Sequence, residues 1–280
     1  MPQGSIVITG ASSGIGEACA LHFDKRGYRV FAGVRRASDG EALREKTSDR
    51  LTPLLIDVTD PQSIAAAVGS IERKEISGLI NNAGIAVSAP IELIPLDKLR
   101  EQLEVNVIGQ VAVIQGFLPL LRQGRGRIVN IGSVAGRSVM PFQGAYSASK
   151  HALEAISDAL RLELREWAIH VAIIEPGAIR TPIWDKSIKR AEDMIAQFPD
   201  EGLDLYRYLI GKMQRAASDT ASAANDVSTV VEAVDHAMTS PKPKTRYVVG
   251  KRAKFLMLLR HLPDRRRDDF IMKRINSIPT

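Results

Sequence analysis

Two residues whose side chains can exchange protons stand four positions apart in the segment QGAYSASKHALE, namely Tyr146 and Lys150. Residues i and i+4 of a helix lie on the same face, so the phenol and the ammonium can approach a common point. Ser133 closes the segment NIGS, and Asn106 interrupts an amphipathic pattern in which an asparagine is unfavourable. These residues indicate either a reaction centre or ordinary polar contacts, depending on what the rest of the chain builds around them.

A glycine-rich segment, TGASSGIGEA, follows the first apolar run, and Gly10, Gly14 and Gly16 have the spacing G-x3-G-x-G. Such a turn bends sharply, exposes N–H groups to a pyrophosphate and lets the next helix pack on the sheet, and each task excludes a Cβ. The helix N-terminus adds partial positive charge. The segment therefore predicts a dinucleotide site, although tight turns without a ligand also use glycines. The other residues that we assign to this site are Ser12, Ser13 and Ile15.

The second apolar run ends VFAGVRR, which bears on the choice of dinucleotide. NAD enzymes usually place Asp or Glu here for the ribose 2′-hydroxyl, whereas an arginine accommodates a 2′-phosphate. No acidic residue occurs after Ala32 until Asp39, and Arg35 and Arg36 follow the run directly. Guanidinium groups bind phosphate through paired hydrogen bonds. The sequence therefore favours NADP(H) over NAD(H), with one of the two arginines expected to point into solvent.

Two further polar segments end predicted strands. Asp57 and Val58 close the third strand, and Asn82, Ala83 and Gly84 follow the fourth. In open parallel sheets, ligands bind at the carboxyl ends of the strands. We therefore expect the first pair to contact the adenine and the second group to lie against the adenosine ribose. Each segment alone is also typical of an ordinary turn.

Short β-branched runs alternate with helical patterns over the first 180 residues. The strands and helices that they predict would position the candidate site residues. The predicted strands are 5–9, 29–34, 51–58, 78–81, 126–133 and 169–176, with a last strand at 245–250. The predicted helices are 14–26, 39–49, 61–74, 97–122 and 145–166. This alternation predicts one α/β domain over residues 1–280, a Rossmann-type doubly wound parallel sheet with helices on both faces.

Two regions depart from this rhythm. Residues 181–225 have no strand pattern and predict a substrate lid made of two short amphipathic helices. Residues 251–280 form a basic C-terminal extension. From Pro241 to Thr280 there are 12 Lys and Arg against 3 Asp, a net charge of +9. The preceding residues hold 26 basic and 29 acidic side chains, a net charge of −3. Most basic runs are solvated faces, so we expect no nucleic-acid partner.

Composition narrows the class of protein. A hydrophobic fraction of 45% and a charged fraction of 25% are ordinary for a globular protein. No apolar run approaches the ~18–20 residues of a membrane span, and the N-terminus enters a strand pattern too early for a signal peptide. Cys19 is the single cysteine, so a cytoplasmic location is expected. The five histidines show no metal-ligand spacing, and we predict no metal.

The motifs TGASSGIG, NNAG, Asn106, Ser133, YSASK and PGAIRT occur in this order over about residues 5–181. Together they resemble the short-chain dehydrogenase/reductase family, which implies an NAD(P)-dependent enzyme acting on CH–OH groups. The resemblance implies a catalytic tetrad of Asn106, Ser133, Tyr146 and Lys150. It also implies that Pro176, Gly177, Ile179 and Thr181 flank the nicotinamide side of the cofactor.

The implied roles are physically reasonable. Tyr146 would exchange a proton with the substrate oxygen. Lys150 would lower the phenol pKa from its usual value near ~10 and, like Tyr146, contact the cofactor. Ser133 would polarise the substrate carbonyl, and Asn106 would keep a water in a proton relay ending at Lys150.

The C-terminal segment, together with VFAGVRR, resembles the 17β-hydroxysteroid and retinol dehydrogenase-like branch of this family. That resemblance implies a lipophilic alcohol or carbonyl substrate, such as a steroid, a retinoid or a fatty aldehyde, and a homodimer or homotetramer. The aromatic residues of the lid region either line an apolar substrate pocket or only pack the lid; they are Trp184, Phe198, Tyr206 and Tyr208. The alternative function is a catalytically silent nucleotide-binding regulatory or scaffold protein of the same fold, which would not need Tyr146 and Lys150 together.

The tail has its own amphipathic pattern among the basic residues, formed by Phe255, Leu256, Leu258, Leu259 and Phe270. This face either packs on the protein's own surface or a neighbouring subunit, or makes weak peripheral contact with membrane lipid.

Overall fold

Seven parallel strands form a single sheet in the computed structural model, which describes residues 3–72 and 75–279. The strands are β1 (Ser5–Ile8), β2 (Arg29–Val34), β3 (Leu51–Leu55), β4 (Gly78–Asn81), β5 (Arg127–Ile131), β6 (His170–Pro176) and β7 (Arg246–Val249). Their order is β3-β2-β1-β4-β5-β6-β7, and each neighbouring pair is parallel. The predicted strands are confirmed, and β3 ends three residues earlier than predicted.

The helices connect these strands and extend the chain beyond them. They are α1 (Gly14–Lys25), α2 (Ala37–Arg44), α3 (Pro61–Gly69), α4 (Leu96–Leu103), α5 (Gly109–Gly124), α6 (Gly144–Glu163), α7 (Ile183–Ile195), α8 (Asp200–Ser222), α9 (Ser228–Thr239), α10 (Lys251–Leu259) and α11 (Asp264–Asn276). The helix predicted over 61–74 ends at Gly69, and its predicted positions 73 and 74 lie outside the described residues.

Buried apolar residues form one cluster on each face of the sheet, as the predicted doubly wound fold requires. Cys19 and Phe23 of α1 and Val234 of α9 lie in the first cluster. Ile64 of α3 and Phe117 of α5 lie in the second. Because both faces are covered, central strands such as β1 are buried along their whole length instead of alternating between buried and exposed residues. The strand order reverses between β1 and β4, and in such sheets a ligand crevice opens outside the carboxyl ends at this point.

The helix predicted over 97–122 is not continuous. A π-helical turn over Glu104–Ile108 separates α4 from α5, and Asn106 lies in it. Such turns are rare and occur frequently at functional sites. Contrary to the expectation that no segment is long enough, Leu96–Gly124 could cross a membrane by length and composition. In this fold its apolar residues Val113 and Phe117 pack in the core instead.

The lid contains two helices, as predicted, but α8 is 23 residues long and is not short. Met194 of α7 and Phe198 pack with Val87 and Ala89, which follow β4, and with Ala145 at the start of α6. The lid therefore lies against the turn that carries Tyr146.

The end of the tail packs on the lid. Ile271 and Ile275 of α11 are buried. Lys212 of α8 donates to the carbonyl oxygens of Asn276 and Ile278, and Arg215 donates to the Pro279 carbonyl at 2.6 Å. The alternative in which the tail packs on the protein's own surface therefore holds for α11.

Candidate active site

The glycine segment forms a tight cradle between β1 and α1. Gly10 has a φ of +65°, which favours glycine, and a Cβ there would lie 2.8 Å from the Ala83 Cα. A Cβ on Gly16 would lie 2.3 Å from the Gly10 carbonyl oxygen. The extended Ser13 precedes the N-terminus of α1 and makes no side-chain capping bond there. A cradle that any Cβ would fill, at a helix N-terminus, fits a dinucleotide pyrophosphate.

Thr9 and Asn82 fasten this cradle to the segment that follows β4. The Thr9 Oγ1 accepts hydrogen bonds from the Asn82 N–H at 2.9 Å and the Ala83 N–H at 3.0 Å. The Asn82 Nδ2 donates to the carbonyl oxygens of Thr9 at 2.9 Å and Gly10 at 3.1 Å. The Asn82 side chain therefore helps to shape the cradle. The contact of Asn82 with the adenosine ribose stays a prediction. Thr9 was missed, although a polar residue ending an apolar strand beside Gly10 was a usable signal.

The two arginines after β2 differ in their surroundings. Arg36 donates to both oxygens of Asp39, at 2.9 and 3.0 Å. Hydrogen bonds from Thr59 hold the pKa of Asp57 below its usual value, and the charge of Arg35 acts in the same direction. Arg35 therefore lies near the end of β3, where an adenosine 2′-phosphate could reach it. Arg36 is 76% exposed and pairs with Asp39. The contact of either arginine with the cofactor stays a prediction.

The segment after β6 lies beside the glycine cradle. A Cβ on Gly14 would lie 3.1 Å from the Thr181 Cβ. Pro176 ends β6, and the Gly177 N–H donates to the Val249 carbonyl at 3.0 Å. The Ile179 side chain is buried in the core, so this residue can flank a cofactor only through its backbone. Its carbonyl accepts the Trp184 Nε1–H at 2.9 Å, which ties the start of the lid to this segment.

Ser133 and Tyr146 meet at the carboxyl end of β5. Burial raises the pKa of the Tyr146 phenol, and its hydrogen bond with the Ser133 hydroxyl partly offsets this effect. The Ser133 Oγ also accepts the Ala135 N–H at 3.1 Å, which fixes the hydroxyl in place. A half-buried neutral phenol beside an oriented hydroxyl can donate a proton to an oxygen placed between them.

Lys150 lies behind the phenol. Its Nζ donates to the Ile131 carbonyl at 2.8 Å and lies 5.8 Å from the centre of the Tyr146 ring. Burial lowers the Lys150 pKa to about 8, and the charge of Glu154 works against that. The predicted lowering of the Tyr146 pKa by Lys150 stays a prediction, while the burial of the phenol acts in the opposite direction.

Asn106 holds neighbouring segments together. Its Nδ2 donates to the Ile85 carbonyl at 3.0 Å and to the Ser149 Oγ at 3.1 Å, and its Oδ1 accepts the Ile85 N–H at 2.9 Å. Both amide hydrogens are therefore used. Its role in a water relay stays a prediction, while its contact with Ser149 of α6 is direct.

Gln102, fully buried and one turn before Asn106, was missed by the sequence analysis. Its Oε1 accepts the Val87 N–H at 2.7 Å, and its Nε2 donates to the Ile85 carbonyl at 3.0 Å. The available signal was its position four residues before Asn106, because residues four apart lie on the same face of a helix.

The aromatic residues of the lid have separate positions. Phe198 is buried among lid contacts, whereas Tyr208 is 59% exposed. The Tyr206 hydroxyl donates to Glu92 at 2.7 Å, and its ring packs edge-on against Phe142 at 6.1 Å. Phe198 therefore packs the lid, and Tyr206 joins the lid to the loop beside Tyr146. Across residues 3–72 and 75–279, no group of three or more His, Cys, Asp or Glu could hold a metal ion.

Comparison with known proteins agrees with this geometry. A family model described as short chain dehydrogenase matches residues 5–192. A bovine dehydrogenase/reductase SDR family member 9 is 40% identical, covering 96% of this chain and 87% of the relative. Retinol dehydrogenase 7 of mouse is 38% identical, covering 92% and 84%. An NADPH-dependent 3-dehydrocapnine reductase of Ornithobacterium rhinotracheale is 36% identical, covering 97% of both chains.

Solved structures give the same result. A short-chain dehydrogenase from Streptomyces avermitilis has a TM-score of 0.80 at 26% identity, covering 99% of this chain and 98% of its own. A short chain dehydrogenase from Burkholderia cenocepacia, in complex with NADP, has a TM-score of 0.74 at 26% identity, covering 96% and 97%. The predicted likeness to the retinol dehydrogenase-like branch is confirmed by the mouse relative. This chain belongs to the short-chain dehydrogenase/reductase family and is an NAD(P)-dependent oxidoreductase.

Proposed function

We propose that the protein transfers hydride between NADP(H) and a lipophilic alcohol or carbonyl compound, with Tyr146 as the acid or base. The observation that carries this proposal is the grouping of three side chains: burial raises the pKa of the half-buried Tyr146 phenol, the Ser133 hydroxyl acts to lower it, and the Lys150 Nζ lies 5.8 Å from the centre of the Tyr146 ring. A protein that only bound a nucleotide would not need this group of three.

Each side chain has one task in the proposed reaction. Bound NADP(H) supplies or accepts the hydride. Tyr146 gives its phenolic proton to the carbonyl oxygen during reduction and takes a proton from the alcohol during oxidation. Ser133 donates a hydrogen bond to the same oxygen and polarises it. Lys150 holds the nicotinamide ribose and supplies positive charge beside the phenol.

The preference for NADP(H) rests on Arg35. This exposed guanidinium follows β2 with no acidic side chain before Asp39, and it lies close enough to Asp57 to affect its pKa. A guanidinium favours a 2′-phosphate and leaves a 2′-hydroxyl without its usual carboxylate partner. The NADPH-dependent reductase among the relatives supports the same choice.

The lipophilic substrate class is supported by a retinol dehydrogenase among the relatives. The test is a panel of retinoids, steroids, fatty aldehydes and small ketones, assayed at 340 nm with NADPH and NADH. We expect turnover of a lipophilic carbonyl with NADPH. Tight NADPH binding without turnover of any compound, in either direction, would favour the scaffold function instead.

A homodimer or homotetramer is also proposed, through the long helices on one face of the sheet. Ile108 beside α5 is 55% exposed and Leu162 of α6 is 65% exposed, so both leave apolar surface for a second copy. Light scattering should give a multiple of the 30.6 kDa chain mass. Leu162→Glu should shift the assembly toward monomer if α6 lies in the interface.

We further propose a cytoplasmic protein whose helix α10 can make weak contact with anionic lipid. Phe255 and Leu258 are 47% and 67% exposed beside Lys251, Arg252 and Lys254. Vesicles containing phosphatidylserine should sediment the intact protein, and Phe255→Ser with Leu258→Ser should abolish this. Equal sedimentation of both proteins would remove the lipid contact from the proposal.

A further inference from the structure

A partly buried ion cluster adjoins the proposed catalytic group on α6, one helical turn after Lys150. We call it the Glu154 cluster, and it comprises Arg137, Glu154, Asp158, Glu175 and Arg246. Arg246 of β7 lies 3.1 Å from Glu154, 2.7 Å from Asp158 and 3.6 Å from Glu175. Arg137 lies 3.2 Å from Glu175. The cluster thus joins α6, β6, β7 and the turn after Ser133.

Burial makes this cluster unusual. Glu175 is fully buried and Glu154 is 7% exposed. Charges at such positions are costly unless they are paired. With the adjacent Lys150, and with Arg161 at 3.1 Å from Asp158, the group holds four cations and three carboxylates. Neutralising one carboxylate would add to the excess of positive charge beside Lys150.

Glu154 is the member that reaches the proposed catalytic residues. It lies one helical turn after Lys150, on the same face of α6. A Cβ on Gly136 would lie 2.9 Å from the Lys150 carbonyl oxygen and 3.2 Å from the Glu154 Cγ. The turn that begins with Ser133 therefore rests directly on these two residues.

The hydrogen bonding of Glu154 is incomplete. Neither of its carboxylate oxygens is in a hydrogen bond with any described residue, although Arg246 is at ion-pair distance. Burial raises the Glu154 pKa to about 7, with Glu175 and Asp158 acting in the same direction and Arg246 and Arg137 opposing it. A carboxylate needed only for structure would be expected to accept hydrogen bonds. The charge of Glu154 favours the ammonium form of Lys150 and so opposes the effect of its burial.

We propose that Glu154 is a positioning residue that keeps Lys150 in its charged form, with Arg246 as its anchor. Lys150 is buried and donates to a neutral carbonyl, so Glu154 supplies the negative charge that offsets its burial. This inference rests on the proposed function, because it gives Lys150 a task at the cofactor ribose and beside Tyr146.

The test is the pH dependence of two quantities in Glu154→Gln, which keeps the shape and removes the charge. Lys150 should lose its proton at lower pH, by about one pKa unit for a charge one turn away in a partly buried site. The pH at which NADPH affinity declines should therefore fall by about one unit. The rising limb of kcat/KM for alcohol oxidation should move to higher pH, which gives roughly tenfold lower activity near neutral pH.

Asp158→Asn is the matched control, because Asp158 also pairs with Arg246 but lies one turn further from Lys150. It should move both profiles by less than about a third of a unit, equivalent to about twofold. Should Glu154→Gln not fold, Glu154→Met removes the same charge without adding an amide that needs hydrogen-bond partners. The same direction of change is expected in that variant.

The outcomes separate this inference from the function on which it rests. Profiles of a folded Glu154→Gln that coincide with those of the wild type would overturn the role of Glu154. If Tyr146→Phe is inactive at the same time, the proposed function stands and only this inference fails. If Tyr146→Phe stays active, the proposed function itself fails.

Discussion

Adding one methyl group to the glycine cradle should weaken cofactor binding without unfolding the protein. In Gly16→Ala the new Cβ would lie 2.3 Å from the Gly10 carbonyl oxygen and 2.6 Å from the Asn82 Nδ2. Ordinary contact begins at 3.4 Å, so the loop or the start of α1 must move by about 1 Å. Overpacking of this kind costs about 1–3 kcal/mol, and the better helix propensity of alanine returns up to about 1 kcal/mol.

The displaced loop also carries the N–H groups that would meet the pyrophosphate. Loss of one hydrogen bond to a charged group is worth about 1.5–3 kcal/mol, which corresponds to roughly 10- to 150-fold weaker NADPH binding. Fluorescence titration with NADPH measures the affinity, and urea unfolding measures the stability. Gly211→Ala is the matched control, because a Cβ there meets nothing within 4 Å inside α8. It should leave the Kd unchanged and raise the free energy of unfolding by about 0.5–1 kcal/mol. Wild-type NADPH affinity in Gly16→Ala would refute the reasoning that this cradle holds the cofactor.

Two further substitutions test the choice of cofactor and the hydrogen bond that the buried Gln102 side chain accepts from Val87. Arg35→Ala should weaken NADPH binding roughly 10- to 150-fold and leave NADH binding nearly unchanged, while Arg36→Ala should have a small effect because Arg36 is paired with Asp39. Equal losses for both cofactors, measured by titration, would contradict the 2′-phosphate argument. Gln102→Leu should lower the free energy of unfolding by about 1–3 kcal/mol, because it leaves the buried Val87 N–H without its acceptor. Gln115→Leu, at an exposed position of α5, should stay within about 0.5 kcal/mol of the wild type in the same urea experiment.

The parts of the fold that could be predicted are those with a local signal. Apolar runs of strand length separated by helical patterns led to the sheet, and the glycine spacing after β1 led to the cradle. The pair Tyr146 and Lys150 was also local, since a helix places residues four apart on one face. The sequence did not indicate that burial raises the pKa of the Tyr146 phenol, because the burial of a side chain depends on the packing of segments that are distant in the sequence.

The remaining features depend on contacts between residues far apart in the sequence. Arg246 reaches Glu154 from a strand 92 residues later, and Gln102 bonds to a loop fifteen residues earlier. Neither contact leaves a periodic pattern. The π-helical turn around Asn106 was likewise hidden, because its residues continue the helical pattern on either side. The sequence could flag Asn106 as an odd residue but could not show what it holds.

The most direct test of the proposed function is the Tyr146→Phe variant, which removes one hydroxyl from a half-buried ring. NADPH affinity should stay within about twofold of the wild type, because the ring, Lys150 and the glycine cradle are unchanged. The kcat/KM for the best carbonyl substrate should fall by about 10²- to 10⁴-fold, the range expected for a lost proton donor. Tyr206→Phe removes a hydroxyl from the lid instead and should keep most of the activity. Activity of Tyr146→Phe within a few-fold of the wild type would contradict the account of this site.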